Sequence, residues 1–154
     1  MNLFSKTALF DLSARIKKLD EGRIFMEIMK NEIVQKLVVN LNTNQLRFDF
    51  MNSDGILLSD IGGEYSPTTM QGGKKKSKTS VDLYDTGDYH ESFRVTAITR
   101  SSFDITSDPV KSDGTNLLQE WGKEIEGLTF ESLEKLITFM IEFYRLKLRE
   151  YLVQ

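Results

Sequence analysis

From Phe130 to about Leu152 the chain runs without a glycine or proline, and this limits its fold more than any other feature. A helix of that length, roughly 34 Å at ~1.5 Å per residue, must be covered by something. Thr129 supplies the N-cap, and Leu128 ahead of it can staple onto Leu133. On a helical wheel Leu133, Leu136, Ile137, Met140, Ile141, Tyr144, Leu148, Tyr151 and Leu152 form one broad stripe. Phe139, Phe143 and Leu146 lie beside it. They widen the apolar arc to roughly 240°, against the ~100° that a surface helix needs. Glu131, Lys135, Thr138, Glu142, Arg145 and Arg149 form the polar ridge. Two readings follow. The helix is clasped on two sides within its own domain, or Phe139, Phe143 and Leu146 form a subunit interface, since exposed aromatic patches are uncommon on monomers.

The 154 residues suit one domain with a real hydrophobic core, spanning 1–154. A formal net charge of −3 exerts no global pull toward nucleic acid or an anionic membrane. The absence of cysteine excludes disulfides and thiolate zinc sites. No apolar run is long enough to span a bilayer, and Met1 to Lys6 lacks the features of a secretory leader. The expected setting is cytosolic or particle-borne, with no membrane partner.

Residues 1–44 read as helical. Leu12, Ile16 and Leu19 recur at helical spacing after Asp11, a plausible N-cap. Phe25, Met29, Ile33, Leu37 and Leu41 then follow strict four-residue spacing, ending at Asn42 and Asn44. Residues 45–108 read as a sheet. Leu46, Phe48 and Phe50 alternate with polar neighbours, and Asn52 to Gly55 turns the chain into Ile56–Leu58, predicting a first hairpin. Phe93–Val95–Ala97 and Phe103–Ile105 predict a second. Between them, residues 67–80 are expected to form a mobile loop rich in glycine and lysine. Residues 109–154 return to helix, with a short one from Thr115 to Trp121 stopped by Gly122.

The stretch from Asp82 to Val95 carries the candidate chemistry. Asp82, Asp85 and Asp88 lie three apart, with His90 and Glu91 behind them, oxygen ligands of the kind hard cations accept. The calcium-loop spacing is absent, however. Asp85 as a helix cap and Asp88 in a first turn account for two of the carboxylates structurally. His90 is the only histidine, and Asp-Tyr-His-Glu-Ser matches no nucleophile elbow, so an exposed turn histidine is expected. Gly72-Gly73-Lys74 lacks the spacing of a phosphate-binding loop. Lys74, Lys75, Lys76 and Lys78 form the only basic cluster, either a DNA or neighbour contact or a solvated loop. Trp121 reads as a core anchor, with Gly122 and Gly127 supplying backbone angles other residues resist.

Three blocks in order carry a resemblance: Gly63-Glu64-Tyr65-Ser66-Pro67-x-Thr69, then Val81-Asp82-Leu83-Tyr84-Asp85-Thr86-Gly87-Asp88-Tyr89-x-x-Ser92-Phe93, then Trp121-Gly122-x-x-Ile125-x-Gly127-Leu128. The Thr-Gly-x-aromatic-x-x-Ser core resembles that of neck and tail-completion proteins of tailed bacteriophages, where Thr-Gly-x-Leu-x-x-Ser leads into a strand. The fuller pattern is similar to proteins of phages of Bacteroides, including the crAss-like group. It covers about residues 60 to 130. Tyr89 stands where the group prefers Leu, and Trp121 where Tyr is expected.

The resemblance implies a non-enzymatic virion protein without cofactor or metal, made in the host cytoplasm and placed in a neck or upper-tail ring of six or twelve copies. Its partners would be other neck, portal or tail proteins, with non-specific contact to packaged DNA. Tyr65, Ser66, Asp85, Thr86, Gly87, Ser92, Trp121, Gly122 and Gly127 would be its structural motif. The expected fold is α+β: N-terminal helices, a small mostly antiparallel sheet with a long loop, and a C-terminal helix packed on the sheet. The competing readings are a nucleic-acid-binding accessory protein using Lys74 to Lys78, and a metal-dependent enzyme built on Asp82, Asp85, Asp88 and His90.

Overall fold

The stripe from Phe25 to Leu41 breaks into two helices. Each four-residue step drifts by about 40° around a helix, so the whole stripe could not stay on one face. The chain stops and restarts instead. In the computed structural model, which describes residues 11–73, 75 and 77–153, α1 covers residues 11–17, α2 spans Glu21–Met29 and α3 spans Glu32–Asn44. Asp20 caps α2 by accepting from Arg23 N at 3.0 Å, and Asn31 caps α3 by accepting from Ile33 N at 2.9 Å. The buried side chains are Ile24, Ile28, Met29, Val34 and Val38, whereas Ile33 is 59% exposed. Asp11 is already helical, so the start of α1 and its cap lie outside the described residues. Leu12 and Ile16 are exposed rather than core residues, and Leu19 packs on the core.

The first expected hairpin is not there. α3 continues into a π-helical turn, Gln45–Asp49, closed by Phe50 in the left-handed conformation at φ 57°. Leu46 is buried and Phe48 is 62% exposed, so their alternation did not mark a sheet face. The turn at Asn52 to Gly55 does form, with Asn52 Oδ1 accepting from the backbone N–H of Asp54 and Ile56. Its flanks make a single bridge, Met51 to Leu57, before α4 begins at Leu58–Gly62.

The expected loop contains α5, Pro67–Gln71, with Ser66 as its cap and proline in its first turn. Residues 81–84 form no strand; they lead into α6, Asp88–Glu91. The second hairpin is present: β1, Arg94–Thr96, pairs antiparallel with β2, Asp104–Thr106, placing Val95 opposite Ile105. α7, Leu117–Trp121, is capped by Asn116 and followed by a 3₁₀ turn, Lys123–Ile125.

α8 spans Phe130–Val153, and Thr129 caps it as expected, its Oγ1 accepting from Ser132 N at 3.3 Å. The helix does not lie chiefly on the sheet. It packs on α2 and α3, and α3 backs β1. A two-stranded ribbon is too narrow to cover so long a helix. The root of α8 is tied down by α3. Asn42 Nδ2 donates to the carbonyls of Ile125 and Gly127 at 3.1 and 2.9 Å. Gln45 Oε1 accepts from Thr129 N at 2.7 Å. At the far end, Arg15 Nη1 donates to the Leu152 carbonyl at 2.8 Å. The molecule is thus α+β, with one cluster of buried apolar side chains drawn from both ends of the chain. Among the described residues no helix is long and apolar enough to cross a membrane.

Candidate functional site

Asp82 is the hub of the corner. Its Oδ1 accepts from Tyr65 Oη at 2.6 Å, from Lys75 Nζ at 2.6 Å and from Tyr84 N at 3.0 Å. The Lys75 ammonium also donates to the Tyr84 carbonyl and lies 5.1 Å from the centre of the Tyr65 ring. Burial pulls the Asp82 carboxyl upward, but Lys75, Tyr65 and the Tyr84 amide together hold it below the ordinary carboxylate value. Burial, with the neighbouring carboxylate, drives the Tyr65 hydroxyl far above the usual range, so it stays a donor.

The turn after Asp82 is strained. Leu83 is buried at φ 53°, a conformation that costs a residue with a side chain about 1–2 kcal/mol. The hydrogen bonds on either side of it hold it there. His90 Nε2 donates to the Asp82 carbonyl at 2.9 Å, while the Asp82 carboxylate takes the Tyr84 amide at 3.0 Å. His90 is only 8% exposed, not the surface turn residue expected. Its ring is held edge-on by Tyr84, Tyr89 and Phe93. Burial lowers its pKa below that of free histidine; Asp82 opposes this, and the Arg47 and Lys75 cations reinforce it. The Arg47 guanidinium covers the Tyr84 ring at 4.1 Å. Geometry and burial together favour the neutral, hydrogen-bonded form of this histidine.

The Thr-Gly step follows. Gly87 stands at φ 106° as the residue before α6, and a Cβ there would meet Tyr84 Oη at 3.1 Å. Asp85 is not the cap of α6, because two residues separate it from the first helical position. Thr86 Oγ1 instead accepts from Asp88 N at 3.4 Å. Ser92 Oγ donates to the Tyr89 carbonyl at 2.7 Å and accepts from Asp108 N at 2.9 Å, tying α6 to the end of β2. Asp82, Asp85 and Asp88 do not converge. Among the described residues no three potential metal-ligating side chains come together.

The third block closes the corner from the other side. Trp121 is half-buried rather than a full core residue; Leu117 fills that role, and the indole lies over Gly62. Gly122 has the positive φ expected of it, 81°. Gly127 does not. It is needed because Ser53 Cβ lies 2.8 Å from where its own Cβ would be. Tyr65, Leu83, Asp85 and Trp121 line one cleft of about 540 Å³, so all three sequence blocks meet there. A smaller cleft of about 290 Å³ lies across Asp85, Thr86 and Gly87, facing Lys111 and Asp113.

The basic cluster is divided. Lys75, with its side chain 11% exposed, belongs to the Asp82 hub, which removes it from the surface role expected of it. Lys78 is exposed, and its carbonyl accepts from Tyr65 N at 2.9 Å. Lys74 and Lys76 lie outside the described residues.

On α8, Phe139 is 36% and Leu146 56% exposed, as an interface requires. Phe143 is not part of that surface: it packs against the core, its ring centre 5.3 Å from that of Phe139. A second exposed set comes from the broad stripe itself: Leu133, Ile137 and Ile141, at 37, 57 and 43%. It borders an apolar groove of about 600 Å³ between α2, α8 and the hairpin. Of the broad stripe, only Leu136 is fully buried.

No family model matches this chain, and it matches neither a curated protein nor a solved structure.

Proposed function

We propose that this chain is a structural virion protein of a tailed bacteriophage. Copies of it form part of an oligomeric ring at the neck or upper tail, joining head to tail or completing the tail. The reading combines the resemblance of the three sequence blocks with the use to which the chain puts them. One observation carries it: Tyr65, Lys75, Asp82, His90 and Ser92 bond one another and the backbone of the corner, while α8 exposes seven large apolar side chains along its length. Such a distribution suits a rigid part that meets protein neighbours, because interface centres are apolar and aromatic. Its work would be mechanical. The locked corner keeps the subunit's shape under load, and α8 offers the contact faces.

The test is the composition of purified tailed particles from the host that carries this gene. Peptides of the chain are expected at a stoichiometry of several copies per particle, with ring-shaped density at the neck or upper tail. Particles that assemble fully without the chain would reject the reading. The nucleic-acid alternative has a separate signature. Salt-sensitive DNA retention by the isolated protein, abolished by replacing Lys74, Lys76 and Lys78, would favour it.

A further inference from the structure

We propose that α8 is a head-to-tail connector. The exposed ridge Phe139–Leu146–Val153 of one copy seats in the apolar groove beside Ile137 and Ile141 of the next. The inference deepens the ring reading and rests on it for the array to close.

The helix carries two separate apolar stripes. Phe139, Leu146 and Val153, at 36, 56 and 84% exposed, recur every seven residues and stay in line along the C-terminal half. Phe130, Leu133, Ile137 and Ile141, at 76, 37, 57 and 43%, run along the N-terminal half. At about 100° per residue, Ile137 and Leu146 point roughly 180° apart. The side between them, through Leu136, Met140 and Phe143, faces the core.

The stripes differ in shape. Around Ile137 and Ile141, neighbouring elements rise on both sides, with Phe25 from α2 and Phe103 from the hairpin completing the groove of about 600 Å³. Leu146 and Val153, at 56 and 84% exposed, stand out from the other side of the helix.

Two unlike apolar surfaces on opposite sides of one helix call for a second copy. A twofold dimer uses the same patch twice, whereas a head-to-tail array needs a face and its complement. Charge agrees. Glu21 on the groove rim and Glu134 beside Ile137 have no ion-pair partner among the described residues. On the ridge side Arg149 is a cation without an ion-pair partner among the described residues. Acid thus meets base when ridge enters groove, a pairing that sets register.

The test uses the full chain and two variants, Ile137→Glu in the groove and Leu146→Glu on the ridge, with far-UV circular dichroism confirming the fold. Sedimentation and cross-linking over a concentration series are expected to show open-ended association of the wild type. Each variant alone should associate at least ~10-fold more weakly. An equimolar mixture should recover dimers and nothing larger, because one intact face remains on each partner. Arg149→Glu, on the exposed flank, should weaken association without touching the core. A wild-type chain that stays monomeric throughout overturns the proposal, as does a Leu146→Glu chain that associates like the wild type or a mixture that forms no dimer. If both variants still build rings in particles, the connector fails while the virion reading stands.

Discussion

The corner around Asp82 and the outer surface of α8 handle opposite materials in opposite ways. The corner draws carboxylate, ammonium, phenol and imidazole into a half-buried site and satisfies them there. α8 places leucine, isoleucine and phenylalanine at the surface. Polar groups that satisfy one another at close quarters hold a unique geometry. Apolar groups left outside contribute little to the monomer and wait for cover. Charged groups therefore brace the corner of this molecule, and apolar groups are left on the outside of α8.

The contrast breaks most visibly at Gly87. A Gly87→Val chain must hold a β-branched residue at φ 106° against Tyr84 Oη, and about 3 kcal/mol of stability should be lost, read as a lower urea midpoint. Asp82→Ala comes next. It leaves the Lys75 ammonium and the Tyr65 hydroxyl without their partner, at a cost of about 2–3 kcal/mol after allowance for partial exposure, where an exposed pair would give ~0.5.

A pH titration sharpens the comparison further. Burial depresses the folded-state pKa of His90, so below about pH 6.5 the unfolded chain binds more protons than the folded one. Stability is therefore present above the unfolded value and is lost as pH falls toward the folded one, where His90→Gln should flatten the profile. Asp82, also depressed, adds a second loss further down, below about pH 4. The smallest effect belongs to α8. Leu146→Ser should change monomer stability by less than ~0.5 kcal/mol in the same denaturation, while weakening association. A large loss of monomer stability there would mean that the ridge is core.

Legibility in the sequence followed the range of the forces involved. Thr129 as a cap, Gly122 as a stop and the 93–105 hairpin were readable because each depends on neighbours within a few positions. The π-helical turn at Gln45–Asp49 was not, since the polar–apolar alternation of Leu46 to Phe50 fits a strand equally well and only tertiary contacts decide. The site divided in the same way. Gly87 takes a positive φ just before α6, and Ser92 Oγ bonds the Tyr89 carbonyl, both within a few positions. Lys75 and His90 looked exposed because nothing near them in sequence announces that Asp82 will gather them from seven and eight positions away. Leu83 at positive φ left no trace at all in residue type.

The tether between α3 and the start of α8 has a geometric corollary. A beam of 24 residues, about 36 Å long, is clamped near one end by two amide side chains, Asn42 and Gln45. Were the Arg15 tie to the Leu152 carbonyl released, a 5° change in pitch at that clamp would swing the far tip by about 3 Å, nearly the width of a methyl group. Small adjustments at two buried amides are thereby geared up into larger displacements at the other end of the helix.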